Sequence, residues 1–312
     1  VVLEVLPEAN ITLSSTIGRI GLLERENAAV MNACLRSLAV TTVSGFKDAL
    51  SAMNITAPFF ISQNDGTLMN ADFAADYPVL TFASGPTNSM RGAAFLSNLK
   101  DAIVVDVGGT TTDVGVLQQG FPRVAATAVT IGGVRTNFRM PDTLSIGLGG
   151  GSIVGQDPIK IGPQSVGFEL TERARVFGGD ELTATDIAVA SGYASIGDHA
   201  LVSGLDSDLV KGVNAKIQEL VAITVDRMKT SSDPVAVVAV GGGSILVQDE
   251  FPGASELLRP EHFSVANAIG AAIGQIGGEA SRTALNQALH REEEEEVRTE
   301  IESALLDLEA KA

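Results

Sequence analysis

The chain has 312 residues, with 21 Lys and Arg against 38 Asp and Glu and a formal net charge of −17. That balance argues against nucleic acid as a partner, because backbone binding needs clustered cations, and one cysteine, Cys34, excludes an internal disulfide and a cysteine-based zinc site. Hydrophobic residues make up 45% of the chain, core material for about two domains, yet no apolar run reaches the roughly 18 residues of a membrane helix and no signal peptide is visible, so a cytoplasmic protein without membrane contact is expected.

Residues 1–18 alternate weakly and read as extended or loop. Residues 20–53 predict one or two helices: Leu22, Leu23, Ala29, Val30, Ala33 and Leu35 form an apolar face that also holds Cys34, which is expected in the core. Residues 59–61 read as a short buried strand, 63–66 as a turn and 79–82 as another strand. Ser84 or Thr87 caps a predicted helix running to about Leu99, with Met90, Ala93, Ala94 and Phe95 inward.

That helix leads into the most informative stretch. Residues 103–107 are β-branched apart from Asp106, and Gly108 and Gly109 permit a turn in which backbone N–H groups converge. Thr110, Thr111, Thr112 and Asp113 follow, and 114–117 resume a strand. A hairpin tip with bare donors, hydroxyls and two carboxylates suits a phosphate and its divalent cation; an ordinary Gly-Gly hairpin is the plainer reading.

Residues 123–131 read as a third strand ending at Gly132-Gly133, which would complete an antiparallel meander. A second glycine loop spans 147–152, and 155–182 look irregular. Residues 186–191 predict a short helix. Residues 208–229 predict an amphipathic one, with Val210, Val213, Ile217, Leu220, Val221, Val225 and Met228 on one stripe. The apolar run 235–240 is the type buried on both faces of a parallel arrangement. It enters Gly241-Gly242-Gly243-Ser244 before another short helix; this is either a plain strand-to-helix turn or a place where a ring or phosphate approaches the backbone. Residues 265–276 form a small-residue helix suited to close packing, and 279–312 a charged helix whose 292–296 acid run reads as a solvated face. No Gly-Lys-Ser/Thr loop or HExxH motif occurs, the dinucleotide fingerprint spacing is not met, and His199, His262 and His290 are too scattered for a metal cluster or triad.

Taken together, these stretches carry a resemblance. Asp106-Val-Gly-Gly-Thr-Thr-Thr-Asp113 resembles the second phosphate motif of the actin-like ATPases, Val238-Ala-Val-Gly-Gly-Gly-Ser244 their adenosine motif, and Ala266-Asn-Ala-Ile-Gly-Ala-Ala272 the helix after it. Within that superfamily the chain is similar to the hydantoinase/oxoprolinase A-subunit family through Glu24-Arg-Glu-Asn-Ala-Ala-Val-Met-Asn-Ala33, Ser84-Gly-Pro86, Ser145-Ile-Gly-Leu-Gly-Gly-Gly-Ser152, Ile161-Gly-Pro-Gln-Ser165 and Leu182-Thr-Ala-Thr-Asp186. The implied fold is α/β, an actin-like ATPase (ribonuclease H-like) mixed sheet, three antiparallel strands followed by parallel strands with flanking helices. The implied organisation is 1–100 as the remainder of a first lobe plus an interlobe helix, 101–278 as the second ATPase lobe, and 279–312 as the charged helix.

The resemblance implies an ATP-dependent amidohydrolase that phosphorylates the carbonyl of a cyclic amide, or a ketone in related carboxylases, with a second subunit or domain completing the hydrolysis. Backbone N–H groups from Gly108 to Thr111 would hold the β- and γ-phosphates of ATP, the hydroxyls of Thr110 and Thr111 would add donors, and Thr112 would belong to the same cofactor-binding set. Asp106 would orient Mg2+ through water, Asp113 would be a second candidate, and Gly241, Gly242, Gly243 and Ser244 would line the adenosine. The alternative is a nucleotide-gated interaction module of the same superfamily with no small-molecule substrate; a purely structural α/β domain is a more distant rival. The family's first phosphate hairpin has no counterpart here, so the sequence reads as a fragment expected to bind ATP weakly or not at all by itself. The chain also departs from the family at Gly85-Pro-Thr-Asn-Ser89, where Gly-Pro-Ala-Gly-Gly is usual, and at Phe168-Glu-Leu-Thr-Glu-Arg-Ala-Arg175, which leaves the substrate type open.

Overall fold

The hydrophobic pattern is resolved by two contact units, residues 1–87 with 124–142 and residues 88–123 with 143 onward. The computed structural model describes residues 2–273 apart from Arg19, Ala126, Thr127, Glu250 and Pro252; the charged helix expected at 279–312 lies outside the described residues.

The first unit is built on one helix of 30 residues, Leu23–Ala52, with Glu24 and Glu26 in its first turn, where acids favour the helix dipole. Cys34 is exposed on it, not in the core: its neighbour Asn32 takes the buried place and donates to the Asp76 carbonyl at 2.8 Å. The expected short strand is Phe60–Ser62, and the turn after it closes a hairpin with Leu68–Asn70. Residues 79–82 are not a strand. Pro78 starts a 3-10 turn, Pro78–Thr81, and Val79 is buried among Ile17, Ala28 and Phe138. Among the described residues, 123–131 do not form the expected third strand of the sheet. Val129–Ile131 instead pairs with Val134–Thr136 within this unit, with Gly132 and Gly133, both at positive φ, forming the hairpin tip.

The second unit holds a six-stranded mixed sheet in the order Ala254–Leu258, Val235–Val240, Ala102–Val107, Thr112–Gln118, Phe121–Pro122, with Thr143–Ile146 also paired to Thr112–Gln118. Val235–Val240 runs parallel to both of its neighbours and the other pairs are antiparallel. The antiparallel set is therefore completed by Thr143–Ile146, an element the sequence pattern did not mark; Ala254–Leu258 was not marked either. Residues 155–182, expected to be irregular, hold the end of the strand Ser152–Gln156 and its hairpin partner Ile159–Ser165.

Alternation sorts the central strands into two faces. Ile103, Val105 and Val107 pack with Val213, Ile217, Val221 and Val225 of the helix Ser207–Met228 and with Ile187 of the helix Ala184–Ala190. Ala102, Val104, Val238 and Val240 pack with Met90 and Ala93 of the helix Ser84–Ser97 and with Ala266 of Ala266–Ile273. The close packing expected of this last helix is realised: a Cβ at Gly270 would overlap the Asn88 carbonyl. Burial on both faces explains the unbroken apolar run of Val235–Val240. No helix among the described residues is long and apolar enough to cross a membrane.

Candidate functional site

The strand register brings the sequence-selected residues to one end of this sheet. Asp106 lies opposite Asp113 on one side and Val240 on the other, and Asp113 lies opposite Ser145. Directly opposed residues share a face, so Val240, Asp106, Asp113 and Ser145 form one row across four strands. The Ser145 hydroxyl donates a hydrogen bond to the Asp113 carboxylate.

Burial pushes the Asp106 carboxyl above the ordinary aspartate range; a hydrogen bond from Ser89 pulls it back, and the Asp113 charge pushes it up again. Burial likewise raises Asp113, against the lowering effect of Ser145. Two adjacent carboxylates short of solvation favour a cation beside them. Among the described residues no cluster of three or more His, Cys, Asp or Glu is able to hold a metal. Two carboxylates opposed across paired strands are a donor set of the kind Mg2+ takes, since it keeps most of its water and uses one or two carboxylates plus substrate phosphates.

At the hairpin tip the N–H of Gly108 is consumed by the Thr111 carbonyl at 2.9 Å. Among the described residues, the N–H groups of Gly109, Thr110 and Thr111 donate to no protein acceptor, and all three residues are exposed. Thr112 differs from its neighbours. It is fully buried and its hydroxyl donates to the Leu148 carbonyl at 2.7 Å, so it faces protein, not ligand.

The second glycine loop, given no role from sequence, braces this tip. Gly150 N–H donates to the Gly108 carbonyl at 3.0 Å and Gly151 N–H to the Gly109 carbonyl at 2.7 Å. A Cβ on Gly149 would stand 2.5 Å from the Thr110 nitrogen, which is why the loop needs glycine there. With the tip carbonyls engaged from behind, its N–H groups are the polar atoms left for an anion.

The other glycine turn closes the same end. Gly241 has φ +83°, and a Cβ there would overlap Asp106 Oδ1 and the Val107 carbonyl oxygen. Gly241 N–H donates to the Phe263 carbonyl at 2.8 Å, and a 3-10 turn, Gly242–Leu246, follows. Nothing lies within 4 Å of a Cβ placed on Gly242, whereas one on Gly243 would meet the Gly108 carbonyl oxygen at 2.7 Å. Ser244 is fully buried, and its hydroxyl has no hydrogen-bond partner among the described residues. Beside the turn is a cavity of about 400 Å³ lined by Tyr193, Ile245, Gln248, Asp249, Arg259 and Phe263. Arg259 is fixed there by bonds to Asp249 at 3.0 Å and to the Val247 carbonyl at 2.6 Å. Sequence reasoning missed Arg259, Tyr193 and Gln248, since each reaches the site only through the fold. Ser89 did carry a signal, as it stands at a departure from the family pattern.

A model of the hydantoinase/oxoprolinase family matches residues 25–229. The acetophenone carboxylase gamma subunit of Aromatoleum aromaticum is 31% identical over 186 residues, covering 57% of this chain and 25% of that protein. The caprolactamase subunit alpha of Pseudomonas jessenii is 25% identical over 213 residues, covering 65% and 30%. This chain thus spans about a quarter to a third of the length of the curated relatives it matches. Among solved structures, nucleotide-free acetone carboxylase superposes with a TM-score of 0.67 at 19% identity, covering 83% of this chain and 41% of that one. ATP-dependent caprolactamase from Pseudomonas jessenii gives 0.67 at 20% identity, covering 94% and 49%. These two share its fold, and the α/β actin-like mixed sheet expected from sequence is present. The match over residues 25–229 shows that the chain belongs to the hydantoinase/oxoprolinase family.

Proposed function

We propose that the second unit binds Mg·ATP at this end of its sheet, and that the protein is an ATP-dependent amidohydrolase subunit of the hydantoinase/5-oxoprolinase type, phosphorylating a cyclic amide carbonyl before ring opening. The observation that carries the reading is the row Asp106–Asp113 bounded by two glycine turns. Mg·ATP, when bound, supplies the phosphoryl group for the carbonyl oxygen and a positive charge beside it. The chain's residues position and solvate. The N–H groups of Gly109, Thr110 and Thr111, with the hydroxyls of Thr110 and Thr111, donate to phosphate oxygens. Asp106 orients hydrated Mg2+, and Asp113, held by Ser145, adds a second negative charge to the same face. Gly241, Gly242, Gly243 and Ser244, with the cavity at Tyr193, Arg259 and Phe263, receive the adenosine. Phosphoryl transfer needs little else from a protein, because its catalysis is mostly positioning and charge neutralisation.

The relatives support the substrate class. One is named for acetophenone, a ketone, and one for caprolactam, a cyclic amide, and both compounds offer a carbonyl oxygen. Both relatives are named as subunits, which supports a second hydrolase subunit or domain as partner. The test is ATP hydrolysis by the full-length protein with and without hydantoin, 5-oxoproline or caprolactam. Stimulation by a lactam is expected, and Asp106→Ala should abolish Mg·ATP turnover with the melting profile retained. Unchanged turnover in that variant removes the metal role. Stimulation by a protein partner alone would favour a nucleotide-gated interaction module.

A further inference from the structure

One hydroxyl beside Asp106 is held from two helices. Ser89, in Ser84–Ser97, is 1% exposed. Its hydroxyl hydrogen-bonds the Asp106 carboxylate and accepts from Asn267 Nδ2, in Ala266–Ile273, at 3.1 Å. A serine hydroxyl has one proton to give. With the Asn267 amide filling an acceptor position, that proton is directed to the carboxylate. Asp106 Oδ1 meanwhile packs so close to Gly241 that a Cβ there would overlap it. The carboxylate is thus restrained by a hydroxyl and by a backbone wall, next to a second carboxylate that repels it.

We propose that Ser89, oriented by Asn267, is a positioning residue that fixes the Asp106 carboxylate for a hydrated divalent cation; this rests on the reading of Asp106 as the group that orients Mg2+. Both residues act through the Asp106 carboxylate, Asn267 by way of Ser89. Helix packing sets the distance. The carbonyl of Asn88, the residue before Ser89, lies against Gly270, so the two helices that carry Ser89 and Asn267 meet at the same point that aims the hydroxyl.

The experiment is a Mg2+ titration of fluorescent ATP-analogue binding to the full-length protein, with affinity in EDTA measured alongside. Losing a hydrogen-bond partner that orients a metal-binding group typically costs about 10–100-fold in metal affinity, so Ser89→Ala is expected to raise the half-saturating Mg2+ concentration by about tenfold or more. Its EDTA affinity should stay close to wild type. Asn267→Ala, at an exposed residue, should raise the Mg2+ requirement in the same direction by a smaller factor. Asp106→Asn should lose the Mg2+ dependence altogether. An unchanged Mg2+ requirement in Ser89→Ala and Asn267→Ala, with Asp106→Asn still defective, overturns the positioning role and leaves the metal reading standing. So does an equal loss of affinity in Mg2+ and in EDTA, which is what a merely structural role would give. Wild-type Mg2+ dependence in Asp106→Asn overturns the metal reading and the positioning role with it.

Discussion

Replacing Thr112 by valine separates two roles for the third threonine of the hairpin. Thr112 and Leu148 are both almost fully buried, and the Thr112 hydroxyl donates to the Leu148 carbonyl at 2.7 Å. Valine nearly matches threonine in shape, so the change opens no cavity. It removes the bond and strands a buried carbonyl, at a cost of about 1–3 kcal/mol. Taking about 2 kcal/mol, and roughly 2–4 °C per kcal/mol for a unit of this size, the melting temperature should fall by about 4–8 °C. Thr112→Ser keeps the hydroxyl and loses one methyl, a cost of about 0.5–1.5 kcal/mol, so serine should be the milder change. Scanning calorimetry of the two variants beside wild type makes the comparison, with ATP affinity measured in parallel. A valine variant as stable as wild type but unable to bind nucleotide would refute the argument and return this hydroxyl to the ligand.

Other consequences follow from the same geometry. Burial holds Asp106 and Asp113 above the ordinary aspartate value of 3.8, so at these sites the folded protein binds protons more tightly than the unfolded chain. By linkage their contribution is unfavourable once both are ionised: stability is lost as pH rises from the ordinary value through the raised folded value. Asp113→Asn should therefore raise the melting temperature at about pH 8, with the gain vanishing toward about pH 3, and a lower melting temperature than wild type at the higher pH would contradict the sign. At Gly270, helix propensity alone favours alanine by about 1 kcal/mol. The new Cβ would overlap the Asn88 carbonyl, and overpacking against a well-packed neighbour typically costs about 1–3 kcal/mol. A backbone atom cannot relieve the overlap by changing rotamer, so Gly270→Ala should lower thermal stability; a gain would show that the two helices separate freely.

The local elements were legible where one residue pattern decides one structure. The stripe of Val213, Ile217, Val221 and Val225 settles a helix because a 3.6-residue period has one buried face. The apolar run of Val235–Val240 settles a doubly covered strand, and Asp106-Val-Gly-Gly-Thr-Thr-Thr-Asp113 settles a glycine-tipped hairpin carrying two acids. Pairing partners were not legible. Residues 123–131 have strand-like composition, yet the sheet takes Thr143–Ile146 beside Thr112–Gln118, and 129–131 turns back on 134–136 in the other unit. Composition sets the tendency to extend; which edge is available is decided by the rest of the chain. Cys34 shows the same limit, since helical periodicity predicts a face but not where that face ends.

By itself the sequence determined the hairpin, the two glycine turns, the apolar helices and, through their order, the family. Only the tertiary structure decided that the glycine loop at 147–152 engages the tip carbonyls, that Thr112 faces Leu148, that Arg259 anchors a cavity beside Gly241, and that Asn267 directs Ser89 at Asp106. These are hydrogen bonds and close contacts between residues far apart in sequence. Their energies depend on register and burial, which no local pattern encodes.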